Sequence, residues 1–178
     1  MARVSTGRRK PPERRASRAR QPSPRQQVLP LDGVRVVALE QAVSAPFCSR
    51  QLADLGADVV KVERPDGGDI ARGYDGVLHG ESAYFAWLNG GKRSIVLDLK
   101  RTTDRRLCRR LIGRADVFIH NLAPGAVERL GFGFARLTTA LPRLVWCGIS
   151  GYGPDGPYRD RKAYDLLVQA ESGIIALT

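Results

Sequence analysis

The sequence has little of what metal sites and disulfide frameworks require, with three cysteines and two histidines among 178 residues. Cys48, Cys108 and Cys147 lie far apart and form no CxxC motif, and His79 and His120 lack the paired spacing of zinc ligands. These absences exclude the usual zinc and disulfide scaffolds. Because each cysteine lies in an apolar segment, we predict buried reduced thiols, no metal and a cytoplasmic location.

Long apolar runs and the common nucleotide-binding signatures are also missing. No stretch approaches the roughly 18 apolar residues that span a bilayer, so we predict no membrane partner. The sequence has no GxGxxG motif after its first apolar run, no P-loop and no GxSxG motif. These absences argue against a dinucleotide fingerprint, a phosphate-cradling loop and a nucleophile elbow.

Positive charge is abundant but unevenly distributed along the chain. The sequence has 29 Lys and Arg against 18 Asp and Glu, a net charge of +11, and residues 1–30 hold nine of those cations and one acid. Residues 1–29 are rich in Arg, Pro, Ser and Gln and contain no aromatic residue, so we predict a disordered basic tail. A transit peptide or a polyanion-binding arm stays open for this segment. Residues 31–178 hold 20 cations and 17 acids, which gives no reason to expect a nucleic-acid partner.

Short runs of β-branched and apolar residues alternate with helical patterns after the tail. The strand candidates are residues 34–39, 58–63, 93–99, 116–120 and 144–149. Helical patterns occur in residues 46–55, 81–88, 103–113, 134–141 and 163–171, and residues 64–80 are predicted to be a loop. Apolar strands separated by helices predict an α/β, Rossmann-like fold with a mostly parallel sheet flanked by helices on both faces.

Polar and small residues gather directly after the predicted strands. Ser44, Arg64, Lys100 and Asn121 each follow a different strand. Parallel sheets bind their ligands at the carboxyl ends of the strands. The residues alone therefore predict an α/β domain that binds a phosphate-bearing ligand at this edge.

Four blocks of the sequence, spread over residues 31–178, resemble the family III CoA-transferases. They read LDGVRVVALEQAVSAPFCSRQLADLGADVVKVERPDGGDIAR, NGGKRSIVLDLK, ADVFIHNLAPGAVERLG and GYGPDGPYRDRKAYDLLVQAESG. This CaiB/BaiF-type family includes formyl-CoA and carnitine CoA-transferases, with α-methylacyl-CoA racemase as a divergent branch. The resemblance implies that residues 30–178 are the N-terminal part of an incomplete Rossmann-like large domain. It also implies acyl-CoA and a carboxylic acid as substrates, and a homodimer of interlocked chains.

The resemblance also assigns CoA-binding positions. They are Val43, Ser44, Arg64, Leu97, Lys100, Asn121, Leu122, Ala123, Arg129, Lys162, Tyr164 and Asp165. Formyl-CoA transferases carry Gln-Ala in place of Val43 and Ser44, which argues against formyl or oxalyl specificity. Tyr164 stands where the racemases have a catalytic histidine, and because tyrosine is a poor base near pH 7, the transferase branch is favoured.

The covalent mechanism implied by the resemblance needs an aspartate that attacks the acyl-CoA thioester. In the family this aspartate lies in a glycine-flanked motif some tens of residues after the block containing Tyr164. The sequence ends at Thr178, so we expect a truncated, catalytically incomplete form with no catalytic residue of its own. Asp165 is expected to cap the helix that follows it or to line the CoA site. A non-catalytic CoA-binding module and an unrelated Rossmann-like nucleotide-binding protein stay open.

Overall fold

The computed structural model describes residues 28–177. The predicted basic tail falls outside these residues, apart from its last two positions. The strands are β1 (Arg35–Leu39), β2 (Asp58–Glu63), β3 (Arg93–Val96), β4 (Val117–His120) and β5 (Val145–Gly148). The helices are α1 (Ser44–Asp54), α2 (Ala83–Asn89), α3 (Thr102–Ile112), α4 (Ala126–Arg129), α5 (Phe134–Ala140) and α6 (Asp165–Glu171), with 3-10 turns at Ile70–Gly73 and Ile174–Leu177. The first of these turns interrupts the segment predicted as a loop.

The five strands form one sheet in the order β3-β2-β1-β4-β5, and every neighbouring pair is parallel. Val37 of β1 lies beside Val60 of β2 on one side and Phe118 of β4 on the other. The direction of strand addition reverses at β1, because β2 and β3 extend one side of it and β4 and β5 the other. The predicted α/β class with a parallel sheet is confirmed.

Two apolar clusters cover the opposite faces of the sheet, because successive side chains of a strand point to opposite faces. Val36 and Ala38 of β1 belong to one cluster, with residues of α1 packed against them. Val37 and Leu39 belong to the other, together with residues of α3, α4 and α5. The resulting three layers leave the central strands buried from water.

The edge strands are less well covered than the central ones. Val96 of β3 and Val145 of β5 are each 59% exposed, whereas β1 is buried from its second residue onward. The predicted sheet flanked by helices on both faces is confirmed, although these two residues of the edge strands remain exposed. Within residues 28–177, no helix is long and apolar enough to cross a membrane.

The cysteines differ in their surroundings. Cys108 of α3 is buried in the core cluster, and burial raises the pKa of its thiol to about 12. Cys48 and Cys147 are only partly buried, although all three thiols are free. The prediction of buried thiols is thus confirmed for Cys108 and wrong for the other two, which lie on the less covered parts of α1 and β5.

Candidate functional site

A cavity of about 250 Å³ opens at the carboxyl edge of the sheet, where β1 to β4 end. Its lining residues are Leu39, Glu40, Gln41, Val62, Glu63, Arg64, Pro65, Gly68, Asp69, Leu97, Asp98, Leu99, Lys100, Leu122 and Leu130. The topology explains this position, because a parallel sheet leaves a crevice where its strand order reverses. The cavity brings together four predicted site residues, Arg64, Leu97, Lys100 and Leu122.

Two cations stand where the cavity meets solvent. Arg64 Nε donates to the carbonyl oxygen of Gly68 at 2.8 Å, which orients the guanidinium and leaves its charge in place. The exposed Lys100 follows β3, and its backbone N–H donates to Asp98 Oδ1 at 3.0 Å. The surface behind them is largely apolar and includes the buried Leu97, and the carboxylate of Glu63 in the same wall is paired with Arg72. This arrangement fits a ligand that joins phosphates to an apolar arm, as CoA does.

Asn121 ties together the two loops at the point where the strand order reverses. Its Oδ1 accepts from the backbone N–H of Gln41 at 3.0 Å, and its Nδ2 donates to the Gln41 carbonyl at 2.8 Å. Nδ2 also lies 3.2 Å from Ser44 Oγ, its second acceptor. The side-chain amide is thereby committed to the loop after β1, so Asn121 acts on the site by positioning that loop.

A buried ionic network contacts the same loop, which follows β1. Lys61 Nζ, in the middle of β2, lies 2.6 Å from Asp69 Oδ2 and 3.4 Å from Glu40 Oε1. Lys92 Nζ lies 2.8 Å from the same Glu40 oxygen, and burial lowers the pKa of Lys92 despite the charge of Glu40. Asp69 Oδ1 accepts from the N–H of Ala42 at 2.8 Å, and Ala42 has a φ of 62°. The carboxylate thus stabilises a backbone conformation that L-residues rarely adopt.

Glu63, the last residue of β2, lies in the wall of the cavity. Arg72 binds its carboxylate through two nitrogens at 2.8 Å, and Ser94 Oγ donates to it at 2.6 Å. Burial works to raise the pKa of Glu63, but the hydrogen bonds from Arg72, Ser94 and the Asp69 N–H outweigh it and lower the pKa to about 2. Glu63 is therefore an ionised structural group rather than a proton donor near neutral pH.

His120 ends β4 beside the turn that carries Asn121. Its Nδ1 accepts from the Leu122 N–H at 3.3 Å, which places the proton of the neutral ring on Nε2. Within residues 28–177, this Nε2 is the one buried side-chain polar atom that lacks a hydrogen-bond partner. Burial lowers the pKa of His120 against the opposing charge of Glu128. A neutral ring at pH 7 keeps the turn at Leu122 in place.

The remaining predicted residues near the sheet lie outside the cavity. Val43 directly precedes α1 and is 39% exposed, and Ala123 is exposed in the turn before α4. Arg129 ends α4 and lines a second groove, which adjoins the cavity at Leu130. Their assignment to CoA stays a prediction.

The segment after β5 carries the last three predicted residues, and none of them reaches the cavity. Lys162 is exposed, and Tyr164 is 62% exposed. Asp165 is the first residue of α6, and its Oδ2 accepts from Gln169 Nε2 at 2.8 Å. Tyr164 occupies the N-cap position without a capping side-chain bond, so the expected cap by Asp165 is wrong.

Sequence reasoning missed the buried network of Glu40, Lys61, Asp69 and Lys92. One signal was present: a lysine between valines in an apolar strand must find carboxylates if it is buried. The partners could not be identified from the sequence, because Glu40 lies in the loop after β1 and Lys92 lies 52 residues after Glu40 along the chain.

The chain is similar to known CoA-transferases. The family model described as CoA-transferase family III matches residues 31–178. The chain is 42% identical over 149 residues to the acetyl-CoA:oxalate CoA-transferase of Acetobacter aceti, covering 84% of this chain and 38% of that protein. It is 41% identical over 156 residues to the succinate–glutarate CoA-transferase of Agrobacterium fabrum, covering 84% and 39% respectively.

Solved structures of similar proteins include one from the CaiB/BaiF family. The crystal structure of a CaiB/BaiF family protein from Brucella suis superposes with a TM-score of 0.79 at 41% identity, covering 85% of this chain and 41% of that one. The chain thus spans about two fifths of the length of these relatives. Because the family model covers the whole sheet and every strand-end segment, the chain belongs to CoA-transferase family III.

Proposed function

We propose that this chain supplies the CoA-binding part of an enzyme that moves CoA between an acyl-CoA and a carboxylic acid. The observation that carries the proposal is the apolar-walled cavity at the carboxyl edge of the sheet, with Arg64 and Lys100 at its opening. Guanidinium and ammonium groups suit the phosphates of CoA, and an apolar wall suits its adenine or pantetheine arm. One relative is named as an acetyl-CoA:oxalate CoA-transferase and another as a succinate–glutarate CoA-transferase. Both names support the same substrate class.

Each predicted CoA-binding residue has a role in this proposal. Arg64 and Lys100 bind phosphate, Leu97 and Leu122 pack against the apolar arm, and Asn121 holds the loop that carries Val43 and Ser44. Ala123, Arg129, Lys162, Tyr164 and Asp165 are proposed contacts to parts of CoA outside the cavity.

The reacting carboxylate is proposed to lie outside these 178 residues. Asp165 is exposed, and its carboxylate accepts a hydrogen bond from Gln169. Such surroundings do not favour a nucleophile. The chain alone is then a CoA-binding module, and transfer requires the remaining part of the enzyme. Homodimer assembly and a cytoplasmic location belong to the same proposal.

Calorimetric titration of the purified chain with CoA tests the binding. Substituting Arg64→Ala together with Lys100→Ala should weaken binding at least about tenfold, since each removes a charge-assisted contact. The matched control is Arg35→Ala with Arg93→Ala, which removes two cations at the opposite edge of the sheet. An equal loss in both double variants, or no binding by the unmodified chain, would contradict the proposal.

A second assay tests the location of the nucleophile. The chain is incubated with acetyl-CoA and oxalate, or with succinyl-CoA and glutarate, and the CoA esters are separated by chromatography. No transfer is expected from the isolated chain. Turnover above the uncatalysed rate would show that the carboxylate lies within these residues after all.

A further inference from the structure

A second groove, of about 320 Å³, lies between α3 and the segment that begins at α4. Five arginines line it, Arg105, Arg106, Arg109, Arg129 and Arg136, against a single acid, Glu128. The lining therefore carries a formal charge of +4. We call these five arginines with Glu128 the arginine groove.

Two of the five guanidinium groups are held in fixed orientations. Arg105 Nη1 donates to the carbonyl oxygens of Leu99 at 2.9 Å and Lys100 at 2.7 Å. Arg109 Nη2 donates to the carbonyl oxygen of Gly131 at 2.7 Å. Carbonyl acceptors orient a guanidinium without cancelling its charge, so both side chains stay cationic and partly buried.

The positive charge of the arginine groove is not balanced by the protein itself. Among residues 28–177, no ion pair shorter than 4.0 Å joins any of the five arginines to a carboxylate. Other arginines of the same part of the chain do have such partners, as shown by Arg35, Arg50, Arg72, Arg93, Arg159 and Arg161. Like charges gathered around one concave surface repel one another unless an anion lies between them.

We propose that the arginine groove binds an oligophosphate, an anion with two or more linked phosphate groups. A guanidinium presents its donors in a planar fork that matches two phosphate oxygens. The groove has roughly ten times the share of liquid volume that one water molecule takes, so more than a single oxyanion fits. Five guanidinium groups around that volume, of which Arg105 and Arg109 already donate to carbonyl oxygens, favour linked phosphates over a lone carboxylate.

The oligophosphate has two possible sources with the same chemistry. The groove adjoins the cavity at Leu130, so the phosphates of a bound CoA are one source. A free oligophosphate is the other. The inference does not rest on acyl transfer, because it concerns only the charge and shape of the groove.

Titration of the full chain with tripolyphosphate at low salt tests the proposal. Arg106→Ala with Arg136→Ala removes two exposed groove cations and should raise the Kd at least about tenfold. The control, Arg110→Ala with Arg143→Ala, removes the same charge from exposed arginines outside the groove and should change the Kd less than about threefold. The charge reversals Arg106→Glu and Arg136→Glu should abolish saturable binding.

A second titration in the presence of excess CoA separates the two sources. Loss of tripolyphosphate binding would assign the groove to the phosphates of CoA, and unchanged binding would assign it to a free oligophosphate. Equal effects of the groove and control variants would overturn the proposal. So would binding of long single-stranded RNA without saturable binding of tripolyphosphate. The tripolyphosphate result decides the matter even if the chain fails to bind CoA.

Discussion

Lys61 is 1% exposed in the middle of β2, and its two carboxylate partners are buried as completely. Taking a charge out of water costs several kcal/mol, and the pairing offsets that cost only while every partner is present. Glu40 also accepts from Ser49 Oγ at 2.6 Å. The network therefore links the residue after β1, the centre of β2 and the N-cap of the 3-10 helix at Ile70–Gly73.

Removing the lysine should leave the buried carboxylate of Asp69 without its cation, whereas Glu40 keeps its pair with Lys92. We expect Lys61→Ala to lower the free energy of unfolding by about 3–5 kcal/mol. The control is Arg35→Ala, which breaks an exposed pair with Asp116 and should cost less than about 1 kcal/mol. Urea unfolding followed by circular dichroism measures both, and similar losses in the two variants would contradict the argument.

Glu63 should make the free energy of unfolding depend on pH in the acid range. Because the pKa of Glu63 falls from 4.5 to about 2 on folding, its contribution is complete above pH 4.5 and is lost as the pH falls towards about 2. The carboxylate side chain is 2% exposed, so at pH 7 the contribution is up to about 3 kcal/mol.

The variant Glu63→Gln isolates this contribution. We expect the difference in unfolding free energy between the unmodified chain and the variant to be constant from pH 7 to about pH 5. It should then shrink between about pH 4.5 and about pH 2. Unfolding titrations at each pH measure it, and a difference that stays constant down to pH 2 would exclude the lowered pKa.

Helix α3 shows how far an element can be anticipated from its pattern. The spacing of Leu107, Cys108, Leu111 and Ile112 places these four apolar residues on one face of the helix. Cys108 and Ile112 are fully buried in the core cluster, and Leu111 packs against that cluster, whereas Leu107 is 39% exposed. The periodicity gives a helix with an apolar side, but where the neighbouring elements cover that side sets which positions are buried.

This difference within α3 can be measured. Ile112→Ala removes fully buried atoms and should destabilise the chain by about 2–5 kcal/mol. Leu107→Ala, on the same helix, should cost less than about 1 kcal/mol because much of its side chain is already in water. Thermal unfolding of the two variants gives the comparison, and equal costs would mean that the packing of α3 differs from the structure.

At the scale of the whole molecule, apolar surface remains uncovered beyond the sheet. Leu166 is 69% exposed and Leu167 is 54% exposed on α6, and Val145 is 59% exposed on the edge strand β5. Adjacent exposed apolar side chains, such as those of Leu166 and Leu167, favour association. This surface is independent of the cavity and of the arginine groove.

We expect the purified chain to associate as its concentration rises. Leu166→Ser with Leu167→Ser should shift the sedimentation velocity distribution towards smaller species. The control pair, Val77→Ser with Leu78→Ser, changes exposed apolar residues elsewhere and should leave the distribution unchanged. A chain that sediments as a monomer at all concentrations would refute this expectation.

The kind and order of most elements, the parallel sheet and the edge at which the cavity opens could be predicted from the sequence. These features follow from local periodicity, from strands without tight hairpin turns, and from the general rule that parallel sheets bind at their carboxyl ends. The blocks of family resemblance added the CoA assignment, which local physics could not supply.

Which side chains meet depends on the tertiary structure. It gathered Arg64, Leu97, Lys100 and Leu122 at one cavity, and it placed Arg129 in a separate groove. It also paired Lys61 with carboxylates and gave the amide of Asn121 to the loop after β1. Most of these partners lie far apart along the chain, and they are brought together by strand order and packing, which no local pattern encodes.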